Sequence, residues 1–408
     1  MEKRLNITWK DIQNKLSEDD IAIEFIATIE ERTDDTIQYG VYHALVIDKG
    51  SQYPEMITLI REKDLIGGNE DIGNLIWNPI LTKYPNTKSI YFSADGVWNT
   101  VPIENFFVDS IGILSNKYNM YRLSSTKELV KQRKEFKIES AVLYGGLTYS
   151  TGNTLDLAKG DGEHAKFLRG IEERGGFEPL YNTFAETKEI QDVLKQGNIE
   201  TTLYTEEYGT EESFKQLSGK GVNVIHLATH GMYVDMENVE KWRDESNFDF
   251  LESIKEKDPV RREDAALTHS FLVMSGGNKL AQRELGSNEE SDGILTAKEI
   301  SKMNLIGLDL VVLSACETAL GVMSVTDGIF GLQRGFKKAG ANTIIMSTNK
   351  VDDEVTKILM VEFYSNLMSG KSKHQSLKDA QKYLREYDNG KYDNPKYWAS
   401  FIMLDGLD

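Results

Sequence analysis

The chain has 408 residues, 40% of them apolar and 27% charged, which is the profile of a soluble globular protein and too long for one hydrophobic core. Asp and Glu outnumber Lys and Arg 65 to 47, and the net charge of -18 argues against nucleic acid or an anionic membrane as the first partner. The single cysteine, Cys316, excludes an intrachain disulfide and any multi-cysteine zinc or iron–sulfur site, and no apolar run reaches the roughly 18 residues needed to span a bilayer.

Met1 to Asn6 are followed by no apolar region, so no secretory signal is expected, and a free thiol without one points to the cytoplasm. The first half, 1–135, begins with a short amphipathic helix over 9–16. Apolar runs at 21–26 and 42–47, split by a polar stretch, read as a hairpin or as neighbouring strands. Strands follow at 57–60 and 89–93 with a helix at 72–81 between them, and Asp95-Gly96 marks a turn.

The second half, 136–408, alternates more regularly. Strands are predicted at 141–146, 222–228, 270–274, 308–313, 343–347 and 398–404. Helices are predicted at 185–195, 211–217, 331–339 (stopping at Gly340), 352–368 and 372–386. Nearly continuous apolar strands interleaved with helices indicate an α/β fold whose mostly parallel sheet is covered on both faces. Ligands then bind beyond the C-terminal ends of the strands. Two long polar segments, 232–267 and 277–293, flank the residues at those ends and read either as surface insertions or as loops beside a site.

Cysteine chemistry needs a thiolate, a base to form it, and donors for a developing oxyanion. Leu310-Val311-Val312-Leu313-Ser314-Ala315-Cys316 is an apolar strand ending at the only thiol. Val224-Ile225-His226-Leu227-Ala228-Thr229-His230-Gly231 is another, ending in His-Gly. Two strands ending at one sheet edge would bring His230 close to Cys316, and Gly231 would let the backbone approach a carbonyl without a Cβ. His226, two residues inside its strand, reads as a core or supporting histidine. Taken alone, Cys316 also reads as a small buried hydrophobe.

These two segments, with Leu313-Ser314-Ala315-Cys316-Glu317-Thr318-Ala319-Leu320-Gly321, resemble the catalytic blocks of the CHAT family, caspase-like peptidases related to separase. Further blocks are similar in the same order: Ser291-Asp292-Gly293-Ile294-Leu295-Thr296-Ala297-Lys298-Glu299-Ile300, Gly328-Ile329-Phe330-Gly331-Leu332-Gln333, Val351-Asp352-Asp353-Glu354 and Tyr397-Trp398-Ala399-Ser400-Phe401. In the first half, Tyr91-Phe92-Ser93-Ala94-Asp95-Gly96 and Arg122-Leu123-Ser124-Ser125-Thr126-Lys127-Glu128-Leu129 look like the front of the same long domain. The resemblance runs from about residue 8 to the end; it leaves no room for repeats here and fits the protease part of a longer chain.

The resemblance implies tandem caspase-like units, the first catalytically silent because it holds no cysteine. It implies Cys316 as nucleophile, His230 as general base and acid, and the N–H groups of Gly231 and Cys316 as oxyanion hole, with no metal and no cofactor. It implies a bacterial cysteine endopeptidase that cleaves a protein partner, with an upstream activator or a substrate from a neighbouring gene, as in antiphage defence. The rival is a catalytically inactive scaffold of the same family that binds protein partners. An acyltransferase using the same dyad lacks a cofactor fingerprint, since no Gly-x-Gly-x-x-Gly or Walker A segment is present. For the pocket that takes the residue before the scissile bond, Ser314 is a candidate wall and Asp352 and Asp353 are candidate acids favouring Arg or Lys. The same two acids equally suit the first turn of the 352–368 helix. The family usually has Ser-Leu-Trp before Val-Asp-Asp, where this chain has Ser347-Thr348-Asn349-Lys350, and Gly-Glu-Gly where it has Thr326-Asp327-Gly328.

Overall fold

The computed structural model describes residues 6–30, 39–61, 71–99, 101–150, 177–233, 267, 270–277, 293–314, 325–349 and 351–408. It divides into two compact units, Met1–Glu135 with Met403–Asp408, and Phe136–Ile402.

In the first unit, α1 (Trp9–Lys15) precedes β1 (Asp20–Glu30) and β2 (Tyr39–Asp48), which pair antiparallel from Ile21↔Asp48 to Glu30↔Tyr39. β3 (Glu55–Arg61) pairs antiparallel with β2. After α2 (Ile72–Lys83), β4 (Ser89–Ser93) runs parallel to β1. A small hairpin, β5 (Phe107–Val108) and β6 (Gly112–Ile113), leads to β7 (Asn119–Leu123), parallel to β4. The order is β3-β2-β1-β4-β7.

Side chains of a strand alternate between sheet faces, and β1 shows the result. Ile21, Ile23 and Phe25 join the core with Ile76, Trp77 and Ile80 of α2, while Ala22 packs with Ile12 and Leu16 on the α1 side. Both faces are therefore covered, and each fully buried apolar side chain contributes about 1.5–3 kcal/mol. Within that core, Arg122 of β7 is 3% exposed and forms a forked pair with Glu104, Nε to Oε1 at 3.0 Å and Nη2 to Oε2 at 2.6 Å. Nη1 also donates to the Trp98 carbonyl and Nη2 to that of Val101. The C-terminal residues complete the unit: Leu404 pairs with Arg122, and the Asp405 carboxylate accepts from Ser124 N at 2.8 Å and Ser124 Oγ at 2.9 Å.

In the second unit, β8 (Ser140–Leu147), α3 (Tyr181–Gln196), β9 (Glu200–Glu206), α4 (Glu211–Lys215) and β10 (Val224–Leu227) follow in order. Next come β11 (Gly231–Tyr233), β12 (Ser270–Val273), β13 (Ile294–Thr296), α5 (Ala297–Ile300) and β14 (Leu310–Leu313). α6 (Val325–Ala339), β15 (Thr343–Ser347), α7 (Asp353–Met368), α8 (Lys373–Glu386) and β16 (Phe401–Leu404) close the chain. β15, β14, β10, β8 and β9 lie side by side in that order, all parallel. α6 stops where expected: Gly340 has φ +116 and its N–H reaches back to Phe336 O.

Three of the differences from the sequence expectation have a plain physical reason. The 270–274 run is not part of the parallel sheet; β12 sits between β11 and β13 in a separate antiparallel sheet, because four apolar residues carry no information about their partner. The 398–404 strand begins only at Phe401, since Asn394 caps a helical turn, Pro395–Trp398, with proline in its first turn. β9 was not predicted; it is an edge strand whose side chains are partly exposed, so it has no apolar run.

Glu104→Ala strips the buried Arg122 of its carboxylate. It should cost about 3–5 kcal/mol, measured by urea denaturation followed by far-ultraviolet circular dichroism.

Candidate active site

β10 lies between β8 and β14, with Leu227 in register with Tyr144 on one side and Leu313 on the other. All three strands run parallel and end at one edge. The ladder continues one step: Ala228 N donates to Tyr144 O at 2.8 Å, and Ser314 N to Leu227 O at 2.9 Å. Here the chain of β10 turns out of the sheet. Thr229 is fully buried, donates its hydroxyl to Val273 O and accepts the Tyr149 hydroxyl at 2.9 Å.

His230 follows, 3% exposed. Its ring packs against Tyr149, with centroids 4.9 Å apart, and Phe177, 5.6 Å away, and these two rings also touch each other. Nε2 is 2.8 Å from the Glu178 carbonyl oxygen. A carbonyl can only accept, so Nε2 carries the hydrogen, and in the neutral ring the lone pair is on Nδ1. A backbone group thus sets the tautomer of the imidazole.

Gly231 begins β11, opposite Leu272. Val273 N donates to His230 O at 2.8 Å, so His230 and Val273 form a hydrogen-bonded pair. Antiparallel pairs alternate, which makes Gly231–Leu272 a non-bonded pair. Its N–H therefore turns away from β12, and β11 is the edge of its sheet. Cys316 lies outside the described residues, as do most of the 232–267 and 277–293 segments; the chain after β14 is described as far as Ser314.

Ser314 is 1% exposed and its hydroxyl donates to Glu186 Oε1 of α3. The same oxygen is 3.0 Å from His226 Nε2, and His226 Nδ1 is 3.3 Å from the Tyr364 hydroxyl of α7. His226 is thus buried in the core, as its place inside the strand suggested. Burial, with the Glu186 charge added, holds the Tyr364 hydroxyl protonated far above its ordinary range. α3 reaches this depth because β8 carries two glycines, Gly145 and Gly146, just before its end. A Cβ on Gly145 would lie 2.5 Å from Thr183 O and 2.6 Å from Thr187 Oγ1, and Gly146 N donates to Thr183 Oγ1 at 2.9 Å.

Asp352 is the N-cap of α7: its Oδ1 accepts from Glu354 N at 3.0 Å and Val355 N at 3.2 Å. Asp353 is the first residue of the helix and half-buried. Glu178, Phe177, Tyr149 and Glu186 were not predicted. Tyr149 carried a signal, following the 141–146 strand at the same edge. Glu186 carried one too, as a carboxylate four residues before Ile190 on the buried stripe of its helix. Glu178 carried none, because its backbone does the work.

A profile of the family described as CHAT domain matches residues 69–406. Tetratricopeptide repeat protein 28 of Mus musculus is 31% identical over 111 residues, covering 27% of this chain and 4% of that protein. Its Homo sapiens counterpart is 28% identical over the same length and shares. The chain thus spans a small fraction of these relatives. Among solved structures, the Arg-specific cysteine proteinase gingipain R is 9% identical with a TM-score of 0.43, covering 81% of this chain and 67% of its own. The complex of Porphyromonas gingivalis RgpB pro- and mature domains is 8% identical with a TM-score of 0.44, covering 84% and 70%.

Asp352→Ala should lower the stability of the second unit by about 1 kcal/mol, whereas Asp352→Asn, which keeps the capping oxygen, should stay within about 0.5 kcal/mol. Thermal melts of both variants beside the parent check this.

Proposed function

Because the chain belongs to the CHAT domain family of caspase-like cysteine peptidases, we propose that it is a cysteine endopeptidase in which Cys316 is the nucleophile and His230 its base and acid. The observation that carries this reading is the buried imidazole of His230, held at the sheet edge with Nε2–H on the Glu178 carbonyl. This bond places the lone pair of the neutral ring on Nδ1, the form a general base needs. His230 stands three residues past Leu227, and Cys316 three past its register partner Leu313.

In the proposed reaction, Nδ1 takes the thiol proton and the Cys316 sulfur attacks the scissile carbonyl. The oxyanion that forms is met by the N–H of Gly231, whose direction away from β12 supports the role, and by that of Cys316. The imidazolium then gives its proton to the leaving amine, and the C–N bond breaks. Water, activated by the same ring, hydrolyses the thioester and returns the thiol. Glu178 O keeps its bond to Nε2–H throughout and stabilises the positive ring.

The substrate in this reading is a protein partner, from a neighbouring gene or under an upstream activator, in bacterial regulated proteolysis or defence. For the specificity pocket we carry Asp353 forward as the acid that selects Arg or Lys, on its place as the half-buried first residue of α7 directly after the Val351-Asp352 block.

Iodoacetamide reads Cys316 alone, since it is the only thiol. The folded protein should label at neutral pH much faster than in urea, and His230→Ala should remove most of that advantage. Cys316→Ala should lower peptide cleavage by several orders of magnitude while leaving circular dichroism unchanged. Slow labelling that is indifferent to His230→Ala would favour the scaffold. Fluorogenic peptides varied before the scissile bond should show a preference for Arg or Lys that falls about ten- to a hundredfold in Asp353→Ala.

A further inference from the structure

A carboxylate in an apolar core is costly unless its lone pairs are used, and leucine would fill the space more cheaply. Glu186 is 1% exposed, on the face of α3 that also buries Thr183, Thr187 and Ile190. What it does that leucine cannot is accept bonds from two neighbouring strands at one atom. Oε1 takes the hydroxyl of Ser314, the residue after β14, and faces Nε2 of His226 in β10 at 3.0 Å. The hydrogens around Oε1 can all be placed. With Nε2–H on the carboxylate, Nδ1 of His226 accepts from Tyr364, which is itself fully buried on α7.

The direction of this network is the informative part. Ser314 stands two residues before Cys316, and His226 four residues before His230. His226 is therefore about 13 Å of extended chain from the base and does not reach the reacting atoms. Main-chain pairing ties Ser314 to β10 by one bond, from its N–H to Leu227 O. The side-chain bond to Glu186 adds a second, perpendicular restraint at the last described residue before the nucleophile. We propose, resting on the peptidase reading, that Glu186 is a positioning residue: one carboxylate oxygen fixes the ends of the base-bearing and nucleophile-bearing strands to the same helix, and Ser314 is its contact on the nucleophile side.

The test uses the iodoacetamide rate of Cys316 in the full chain at neutral pH, corrected for the folded fraction by circular dichroism, with the rate in urea as the unfolded reference. Ser314→Ala removes the strand-end bond with little change in volume, and Glu186→Leu removes the acceptor. Each should slow folded-state labelling about ten- to a hundredfold, the size of leaving one buried hydrogen-bonding group without its partner. Glu186→Gln keeps an oxygen that can accept both bonds and should stay within about threefold of the parent, which a requirement for charge would not allow. A purely structural role would lower the melting temperature of the variants yet leave the folded-state rate unchanged. That result in Ser314→Ala overturns the inference even if Glu186→Leu fails to fold, provided His230→Ala still slows the parent. If the parent labels no faster than in urea and His230→Ala changes nothing, the peptidase reading falls and this inference with it.

Discussion

The arrangement rests on the parallel register of β10 and β14, Leu227 opposite Leu313, with β8 on the other flank. Three parallel strands end together only if their connections return over the sheet, so each connection must cross a face and bury it. α3 and α7 do this on the side where His226 meets Glu186 and Tyr364. On the other face Tyr144 packs against Phe214 of α4, which stands edge-on to Phe336 of α6. Because β10 is flanked on both sides, it cannot slip without breaking two ladders at once.

His230 owes its orientation to less regular parts of the fold. The turn at Thr229 is held by two hydroxyls in series, Tyr149 to Thr229 and Thr229 to Val273 O. The ring is then packed against the touching pair Tyr149 and Phe177 and aimed by the Glu178 carbonyl. A carbonyl is indifferent to the side chain that bears it. Glu178 itself is exposed, so the position can vary in sequence while the bond persists.

Much of this could be read from the residues before any fold was known. The strand-end positions of His230 and Gly231 followed from apolar runs that stop at a polar edge, and the hairpin of β1 and β2 from two such runs split by a polar stretch. Asp352 offered two readings, substrate acid or helix cap, and only geometry shows the capping bonds. The partner of β12 was illegible, because pairing depends on where a distant loop returns the chain. The partners of Glu186 were hidden for a different reason. Periodicity marks its helix face as buried, but a polar residue on such a face announces neither its partners nor their number.

The first unit is discontinuous in sequence. Ser124 waits for Asp405 across 281 residues, and Asp405 meets it in a left-handed backbone conformation, φ 57, with no exposed surface. A ribosome adding about 5–20 residues per second needs roughly 15 to 60 seconds to cover that stretch. Through that interval the Arg122 carbonyl and the Ser124 N–H and hydroxyl stand without the partner that later closes on them. Synthesis therefore imposes an order of events: the second unit's strands have all but left the ribosome before the first is finished. A chain that terminates early lacks its closing clasp and presents an incomplete first unit to cellular quality control.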